Sequence, residues 1–239
     1  KVVWSDRWQE NWDNLPTIKG SLSDGLLKAL NTKPKVERKV DTANAEAYEY
    51  YLRGKYKWNT RGNMEDVGIA LELLQKAIQL DDNLLEAKEL LGIYYFEKDN
   101  FNKAEKIFRN NLIQAEKLGD KSRIGYCIRR IGTIHTAKGD YDKALDCHHR
   151  SLKIFKEIGD KDGLTRTYNG FGVIYNRKLY YDKAIYYYKR ALDITNEIND
   201  KRGMGAMLSN LSNIYHTVGD FDKWLDYTTR SLKVCEEFG

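Results

Sequence analysis

The sequence predicts an all-α superhelical solenoid of antiparallel helix pairs, preceded by a short strand–helix remnant of another domain. Similar blocks of sequence recur at intervals of 40 residues along most of the chain. Within each block the apolar residues have helical spacing, and only 2 prolines interrupt the 239 residues. So few prolines are not typical of a turn-rich all-β protein.

The composition excludes several classes of protein. With 31% charged residues and a mean hydropathy of −0.68, the chain lacks the run of about 18 apolar residues that a membrane-spanning helix needs. The net charge of +5 is small and evenly spread, so we expect no nucleic-acid partner. Cys127, Cys147 and Cys235 cannot form a closed set of disulfides, which favours a reducing, cytoplasmic location.

The first 40 residues differ from the rest of the chain. Val2–Trp4 favours a short strand, residues 15–30 favour a helix, and the charged run around Pro34 is typical of a linker. We therefore expect residues 1–40 to be the remnant of a preceding α/β domain and a linker. Because Lys1 is not followed by an apolar leader, we also expect no signal peptide and a longer parent protein.

Residues 41–239 are predicted to form the solenoid. Clear copies of the repeat lie at about 84–119, 124–159, 164–199 and 204–239, and a degenerate copy lies at about 45–82. Three positions show the register: Gly92, Gly132, Gly172 and Ser212; Ala104, Ala144, Ala184 and Trp224; Leu112, Leu152, Leu192 and Leu232. No copy can bury its apolar face alone, so neighbouring copies are expected to stack.

One copy illustrates how the local sequence predicts a helix pair. Isoleucines within 128–135 form one apolar stripe, which predicts a first helix. Gly139 suits the residue that ends this helix, and Asp140 suits the N-cap of the next one. The small residues Gly132 and Ala144 are expected where the two helices touch.

These features resemble the tetratricopeptide repeat: a Leu-Gly-type pair, an aromatic or histidine three residues later, and then an Asp-Lys-Ala block. The copies are longer than the common form of about 34 residues. In this they resemble the repeats of kinesin light chain, the Leu-Gly-Asn scaffold proteins and the Rap-type bacterial peptide receptors. With the first 31 residues, the arrangement resembles bacterial adenylate/guanylate cyclase-type signalling proteins, in which a TolB/FlgO-like domain precedes the repeats.

The resemblance implies a non-catalytic module that binds a protein or peptide in a concave groove lined by the first helices. Counted from the Leu-Gly pair, the polar residues predicted to line this groove are Arg129, Arg130, Thr133, Arg166, Asn169, Asn176, Arg177, Asn210 and Asn213. An asparagine can donate to and accept from one peptide unit, so a row of them can hold an extended backbone. The arginines would favour an acidic ligand. The alternative is an ordinary solvated helix face.

Two histidines, His135 and His148, replace aromatic residues at core positions of one repeat. Cys147 and His149 lie nearby, but consecutive residues on a helix point in different directions and the spacing is not a recognised metal-ligand pattern. We therefore expect no metal and no other cofactor, and instead core imidazoles hydrogen-bonded to each other or to tyrosine. Protonation of both near about pH 6 is expected to loosen this repeat.

The tyrosines at 180, 181, 186, 187 and 188 could stack on single-stranded nucleic acid. Tyr181 and Tyr188 hold core positions of the repeat, however, so repeat packing is the preferred interpretation. No catalytic arrangement of residues stands out, and we expect no enzymatic activity.

The last copy is atypical, since Trp224 stands where the other copies have alanine and no polar helix follows. Either Trp224 closes the array as a modified last repeat, or further repeats follow in the parent protein; in the second case the end exposes an apolar face and would favour a homodimer. The second hypothesis for function is therefore an oligomerisation or structural scaffold that uses the repeat ends or the convex face.

Overall fold

The computed structural model describes residues 45–238, with side chains up to Glu237, and forms ten helices and no strand in that range. The helices are α1 (Ala45–Asn59), α2 (Met64–Leu80), α3 (Leu85–Glu97), α4 (Phe101–Leu118), α5 (Lys121–Lys138), α6 (Tyr141–Ile158), α7 (Lys161–Arg177), α8 (Tyr181–Glu197), α9 (Lys201–Val218) and α10 (Phe221–Phe238). The predicted all-α fold of helix pairs is confirmed. The strand, helix and linker predicted within residues 1–40 lie outside the described residues.

The chain divides between Leu91 and Gly92 into two compact units. In the N-terminal unit α1 packs against α2, and the start of α3 contributes to the same core. The buried apolar residues of this core are Ala47, Tyr51, Leu74, Ala77, Leu84 and Ala87. The two helices cross closely at Gly54, where a Cβ would lie 3.1 Å from Leu74 Cγ.

The C-terminal unit contains three complete helix pairs: α5 with α6, α7 with α8, and α9 with α10. Each second helix packs on the first helix of the next pair, and α4 packs on α5 in the same way. The first helices α5, α7 and α9 also touch one another in order. They therefore form one layer, and the second helices lie on the other side of it. None of the helices within residues 45–238 is long and apolar enough to span a membrane.

The close approach predicted between Gly132 and Ala144 is confirmed. A Cβ at Gly132 would lie 2.9 Å from Cys147 Cβ and 3.4 Å from Ala144 O, and Ala144 is fully buried. Any larger residue at position 132 would push α5 and α6 apart.

The helix ends follow the repeat register. Residues that follow the helix ends with a positive φ, between 54° and 83°, are Asp99, Gly119, Gly139, Gly159, Leu179, Asn199 and Gly219, so four of the seven are glycines. Glycine, and less often asparagine, is favoured there because an L side chain is strained in the left-handed region. Asp120, Asp160 and Asp200 cap α5, α7 and α9, each accepting a hydrogen bond from a backbone N–H three residues later.

Asp140 holds the predicted N-cap position of α6, but its side chain departs from this pattern. Its side chain makes no hydrogen bond to the backbone of α6. The carboxylate lies 3.5 Å from His135 Nδ1 and 3.6 Å from Lys143 Nζ instead. The carboxylate thus lies beside the imidazole at the end of α5 rather than at the helix terminus, and no histidine stands five residues before Asp120, Asp160 or Asp200.

Candidate functional site

Five of the predicted groove residues lie together on one surface of α5, α7 and α9. We call this surface the first-helix face; its residues are Arg129, Arg130, Arg166, Asn169 and Asn210. Asn210 Nδ2 donates a hydrogen bond to Asn169 Oδ1 at 3.1 Å, which links α9 to α7. Both side chains are half-buried. Each amide keeps one group outside this bond: the NH₂ of Asn169 remains a donor and the carbonyl of Asn210 an acceptor.

Arg129 is the most unusual residue on this face, because its side chain is buried and its exposed fraction is only 7%. Its Nε has no hydrogen-bond partner, and within residues 45–238 it forms no salt bridge with a carboxylate. Burial and the neighbouring positive charge of Arg130 lower the pKa of Arg129 to about 10. The guanidinium remains protonated at neutral pH, so the protein holds a buried positive charge here that the carboxylate of Asp162 offsets only from a distance, without a salt bridge.

Tyr126 organises two of the arginines, although the sequence did not indicate a role for it. Arg130 Nε donates a hydrogen bond to Tyr126 Oη at 3.1 Å. The guanidinium carbons of Arg129 and Arg130 lie 5.3 and 5.4 Å from the centre of the Tyr126 ring. The spacing of these residues could have indicated the contact, because Arg129 and Arg130 follow Tyr126 by three and four positions and residues so spaced share one helix face.

Arg166 completes what we call the arginine cluster, together with Arg129 and Arg130. It is exposed, and its Nε lies 2.7 Å from Asp162 Oδ2. A hydrogen bond from this carboxylate raises the pKa of Arg166. With three guanidinium groups and one carboxylate, the cluster carries an excess of positive charge and can accept an anionic group.

The other predicted groove residues do not join this cluster. Thr133 Oγ1 donates to the backbone carbonyl of Arg129 at 3.1 Å, so its hydroxyl is already engaged. Asn176 is half-buried, whereas Arg177 and Asn213 are exposed. Within the described residues no hydrogen bond or salt bridge connects these three side chains to the arginine cluster.

His135 and His148 are both buried, which confirms that they hold core positions. The predicted hydrogen bonds between them or to tyrosine are wrong. Both nitrogens of His148 lack a partner, whereas His135 Nδ1 is 3.5 Å from Asp140 and its Nε2 is 3.8 Å from Glu105. Burial, with a smaller effect from Arg129, lowers the pKa of His148 to about 3. In the described part of the chain, no group of three or more His, Cys, Asp or Glu side chains could hold a metal ion.

Glu105 anchors an ion-pair network that the sequence did not reveal. Its carboxylate lies 2.7 Å from Arg109 Nη2 and 2.8 Å from Lys138 Nζ. Partial burial raises its pKa, but the hydrogen bonds from Lys138 and Arg109 outweigh this effect and bring the pKa to about 2. The pair with Lys138 spans 33 residues, and periodicity within one helix cannot indicate a contact of that length.

The tyrosine run divides between core and surface. Tyr188 is buried, which agrees with its predicted core position, whereas Tyr180 and Tyr186 are exposed. Tyr187, expected at the surface, is half-buried and stacks on Tyr175 with ring centres 5.4 Å apart and planes 2° from parallel. Packing against a neighbouring helix accounts for this difference.

Comparison with known proteins supports the repeat assignment. Residues 126–197 match the family described as tetratricopeptide repeat. No curated protein sequence matches the chain. The matching family model is not that of an enzyme family.

Several solved structures share the fold. The Rap protein complexed with Competence and Sporulation Factor has a TM-score of 0.72 and 20% identity, with 96% of this chain and 67% of that chain covered. The Rap conjugation gene regulator of the plasmid pLS20, in complex with the Phr peptide, has a TM-score of 0.71 and 15% identity, with coverages of 97% and 66%. The third is a Signal Transduction ATPase with Numerous Domains protein with a tetratricopeptide repeat sensor from Pyrococcus horikoshii; its TM-score is 0.64 and its identity 23%, with coverages of 79% and 29%.

The chain thus spans about two thirds of each Rap protein and less than a third of the Pyrococcus protein. At these identities the likeness shows a common tetratricopeptide-type fold. That fold is typical of modules for protein interaction.

Proposed function

We propose that this protein binds an extended, acidic peptide segment along the first-helix face. The observation that carries the proposal is the buried guanidinium of Arg129, which has no carboxylate partner within the described residues. A buried charge of this kind costs free energy unless an opposite charge approaches it. A carboxylate of the ligand, bound between Arg129 and Arg166, would supply that charge.

The hydrogen-bonded pair of Asn169 and Asn210 would hold the backbone of the same ligand. Because the two amides fix each other, the free donor of Asn169 and the free acceptor of Asn210 are already oriented. They can pair with the C=O and N–H of one peptide unit without regard to its side chains. The two similar Rap structures, each complexed with a factor or peptide, are compatible with this mode of binding.

The wider role we propose is regulatory. The chain would act as the non-catalytic partner-binding part of a multidomain bacterial signalling protein in the cytoplasm. Binding at the first-helix face would control an attached output domain, as the resemblance of the sequence to multidomain signalling proteins implies.

The test is a peptide-binding measurement with the whole 239-residue chain. Fluorescence anisotropy would compare a labelled acidic peptide, selected from a random library, with its amide analogue in which Asp and Glu are replaced by Asn and Gln. We expect Arg129→Gln together with Arg166→Gln to weaken binding of the acidic peptide at least tenfold, about 1.4 kcal/mol or more, because charge-assisted hydrogen bonds are lost.

The matched control is Arg190→Gln, which removes an exposed arginine from a second helix. It should leave the affinity unchanged. Equal affinity for the acidic peptide and its amide analogue would contradict the acidic preference, and equal loss in all variants would contradict binding at the first-helix face.

A scaffold function is the second candidate, because α10 presents an apolar row to solvent. Phe221, Leu225 and Leu232 lie on one side of this helix with exposed fractions of 61%, 61% and 59%. Leu192, the equivalent of Leu232 one repeat earlier, is only 6% exposed because α9 covers it. A second copy of the chain could cover the row on α10 in the same way.

Replacing Leu225 and Leu232 with aspartate is expected to abolish such a dimer, since each substitution introduces a charge into the buried contact. Light scattering over a concentration series measures the oligomeric state. Ile113→Asp, at a site 51% exposed on α4, is the control and should dimerise like the unaltered chain. A monomer at every concentration in the unaltered chain would rule out this candidate.

A further inference from the structure

A cavity of about 420 Å³ lies on the second-helix side of the C-terminal unit, between α4 and α6 and above α5. Its floor is formed by Ile128, Ile131, His135 and Cys147. Arg109 and Arg150 also line it. It shares no residue with the first-helix face, and its size falls within the usual range for small-ligand sites, about 300–1,000 Å³.

The equivalent place in the next repeat is filled by an aromatic ring of the protein itself. Forty residues after His135 and Cys147 stand Tyr175 and Tyr187. The ring of Tyr187 lies parallel to that of Tyr175, with centres 5.4 Å apart, and also stacks on Phe171 at 4.9 Å. In this next repeat the ring of Tyr187 therefore occupies the place that is equivalent to the cavity.

The same arrangement occurs once more in the following repeat. Tyr215 and Tyr227 stand at the equivalent positions, with ring centres 5.3 Å apart and planes 15° from parallel. Two successive repeats thus share a stacked tyrosine pair, and the repeat with the cavity replaces both members with the smaller His135 and Cys147. The cavity is the space that a tyrosine ring occupies in the other two.

The residues around this space suit an aromatic ring. His135 directs its ring nitrogens toward Asp140 and Glu105, at 3.5 and 3.8 Å. A stacking interaction uses the face of an imidazole, whereas these two contacts are made by the ring nitrogens at its edge. Burial raises the pKa of the Cys147 thiol, which keeps the sulfur uncharged and favourable for contact with an aromatic edge. The guanidinium groups of Arg109 and Arg150 can also attract a π-system.

We propose that this cavity binds a phenol-type aromatic ring from outside the chain, which stacks on His135 as Tyr187 stacks on Tyr175. The ring can come from a free small molecule or from a tyrosine side chain of a partner polypeptide. Both sources share the chemistry that the cavity recognises, and two probes distinguish them.

The test is a ¹⁹F NMR titration of the whole chain with 4-fluorophenol and, separately, with N-acetyl-3-fluorotyrosine methylamide. We expect one saturable site for 4-fluorophenol in the unaltered chain. Cys147→Tyr should weaken this binding at least tenfold, because the new tyrosine ring would fill the cavity as Tyr187 fills the equivalent place in the next repeat. The matched control, Cys235→Tyr at an exposed cysteine of α10, should bind like the unaltered chain.

The reciprocal variant is Tyr187→Cys, which removes the ring from the next groove and should raise the stoichiometry from one phenol to two. If Cys147→Tyr does not fold, Tyr187→Cys tests the proposal by itself. A second phenol site in this variant supports the proposal, and an unchanged stoichiometry overturns it. Saturable binding of both probes assigns the site to tyrosine side chains, and binding of 4-fluorophenol alone assigns it to free aromatic molecules. No saturable binding of either probe, or equal binding by Cys147→Tyr, overturns the proposal.

Discussion

Gly172→Ala is expected to destabilise the C-terminal unit by about 2–3 kcal/mol. A Cβ at this position would lie 2.5 Å from Tyr188 Cε1 and within 2.8 Å of two further atoms of the same ring. Tyr188 is 2% exposed, so its ring cannot move into solvent. The clash must therefore be relieved by separating α7 from α8, which opens the core.

Urea denaturation followed by circular dichroism measures this effect, and Gly205→Ala is the matched control. A Cβ at Gly205 would meet nothing closer than Val234 Cγ1 at 3.8 Å. This variant should be as stable as the unaltered chain or more stable, by up to about 1 kcal/mol, because alanine favours the helix over glycine. Similar urea midpoints for the two variants would show that the packing of the Tyr188 ring does not require a glycine at position 172.

Lowering the pH from 8 to 5.5 is expected to reduce the stability of this unit by about 1.4 kcal/mol through His148 alone. The pKa of His148 is about 3 in the folded protein, against an ordinary value of 6.5 for histidine. Between these values the unfolded chain binds more protons than the folded one, so stability falls as the pH falls. The full contribution is present above pH 6.5.

The charged groups that act on His148 are Arg129 on α5 and His149 on its own helix. Both lower its pKa, in the same direction as burial. Glu105 also contributes to acid sensitivity, but its stabilisation is lost only as the pH falls from its ordinary 4.5 toward 2. The window from pH 4.5 to 6.5 therefore separates the effect of His148 from that of Glu105.

His148→Phe tests this assignment, since Phe108 holds the equivalent position one repeat earlier. We expect the variant to lose the slope of stability against pH in that window, because no titratable group remains at this site. Thermal unfolding at a series of pH values measures the slope. His216→Phe, which removes an exposed imidazole, should keep the slope of the unaltered chain. An unaltered chain with equal stability at pH 5.5 and 8 would contradict the depressed pKa.

The repeat register explains why the closest contacts between first and second helices occur at a few equivalent positions. Gly92 faces the ring of Phe108, and Gly172 faces the ring of Tyr188. In the last described pair both partners change, because Ser212 and Thr228 replace glycine and ring and share a hydrogen bond of 2.7 Å between their hydroxyls. The space between first and second helices is thus kept by complementary pairs, and a single substitution disturbs both members.

The sequence alone determined the helical architecture, the helix ends and the core positions of His135, His148 and Tyr188. These features depend on local helix propensity and on a 40-residue period, and both can be recognised from the sequence without knowledge of contacts between helices. The same period selected the helices that carry the candidate groove residues. It could not tell which of those residues would meet.

Only the tertiary structure decided that Asn169 bonds to Asn210, that Arg129 is buried without a salt bridge, and that the side chain of Asp140 lies beside His135 instead of bonding to the backbone of α6. It alone placed Glu105 beside Lys138 and left a cavity above Cys147. Each of these depends on distances between side chains of different helices. Such distances follow from how the helices pack, and packing depends on the shapes of all the side chains at once rather than on the pattern within any one helix.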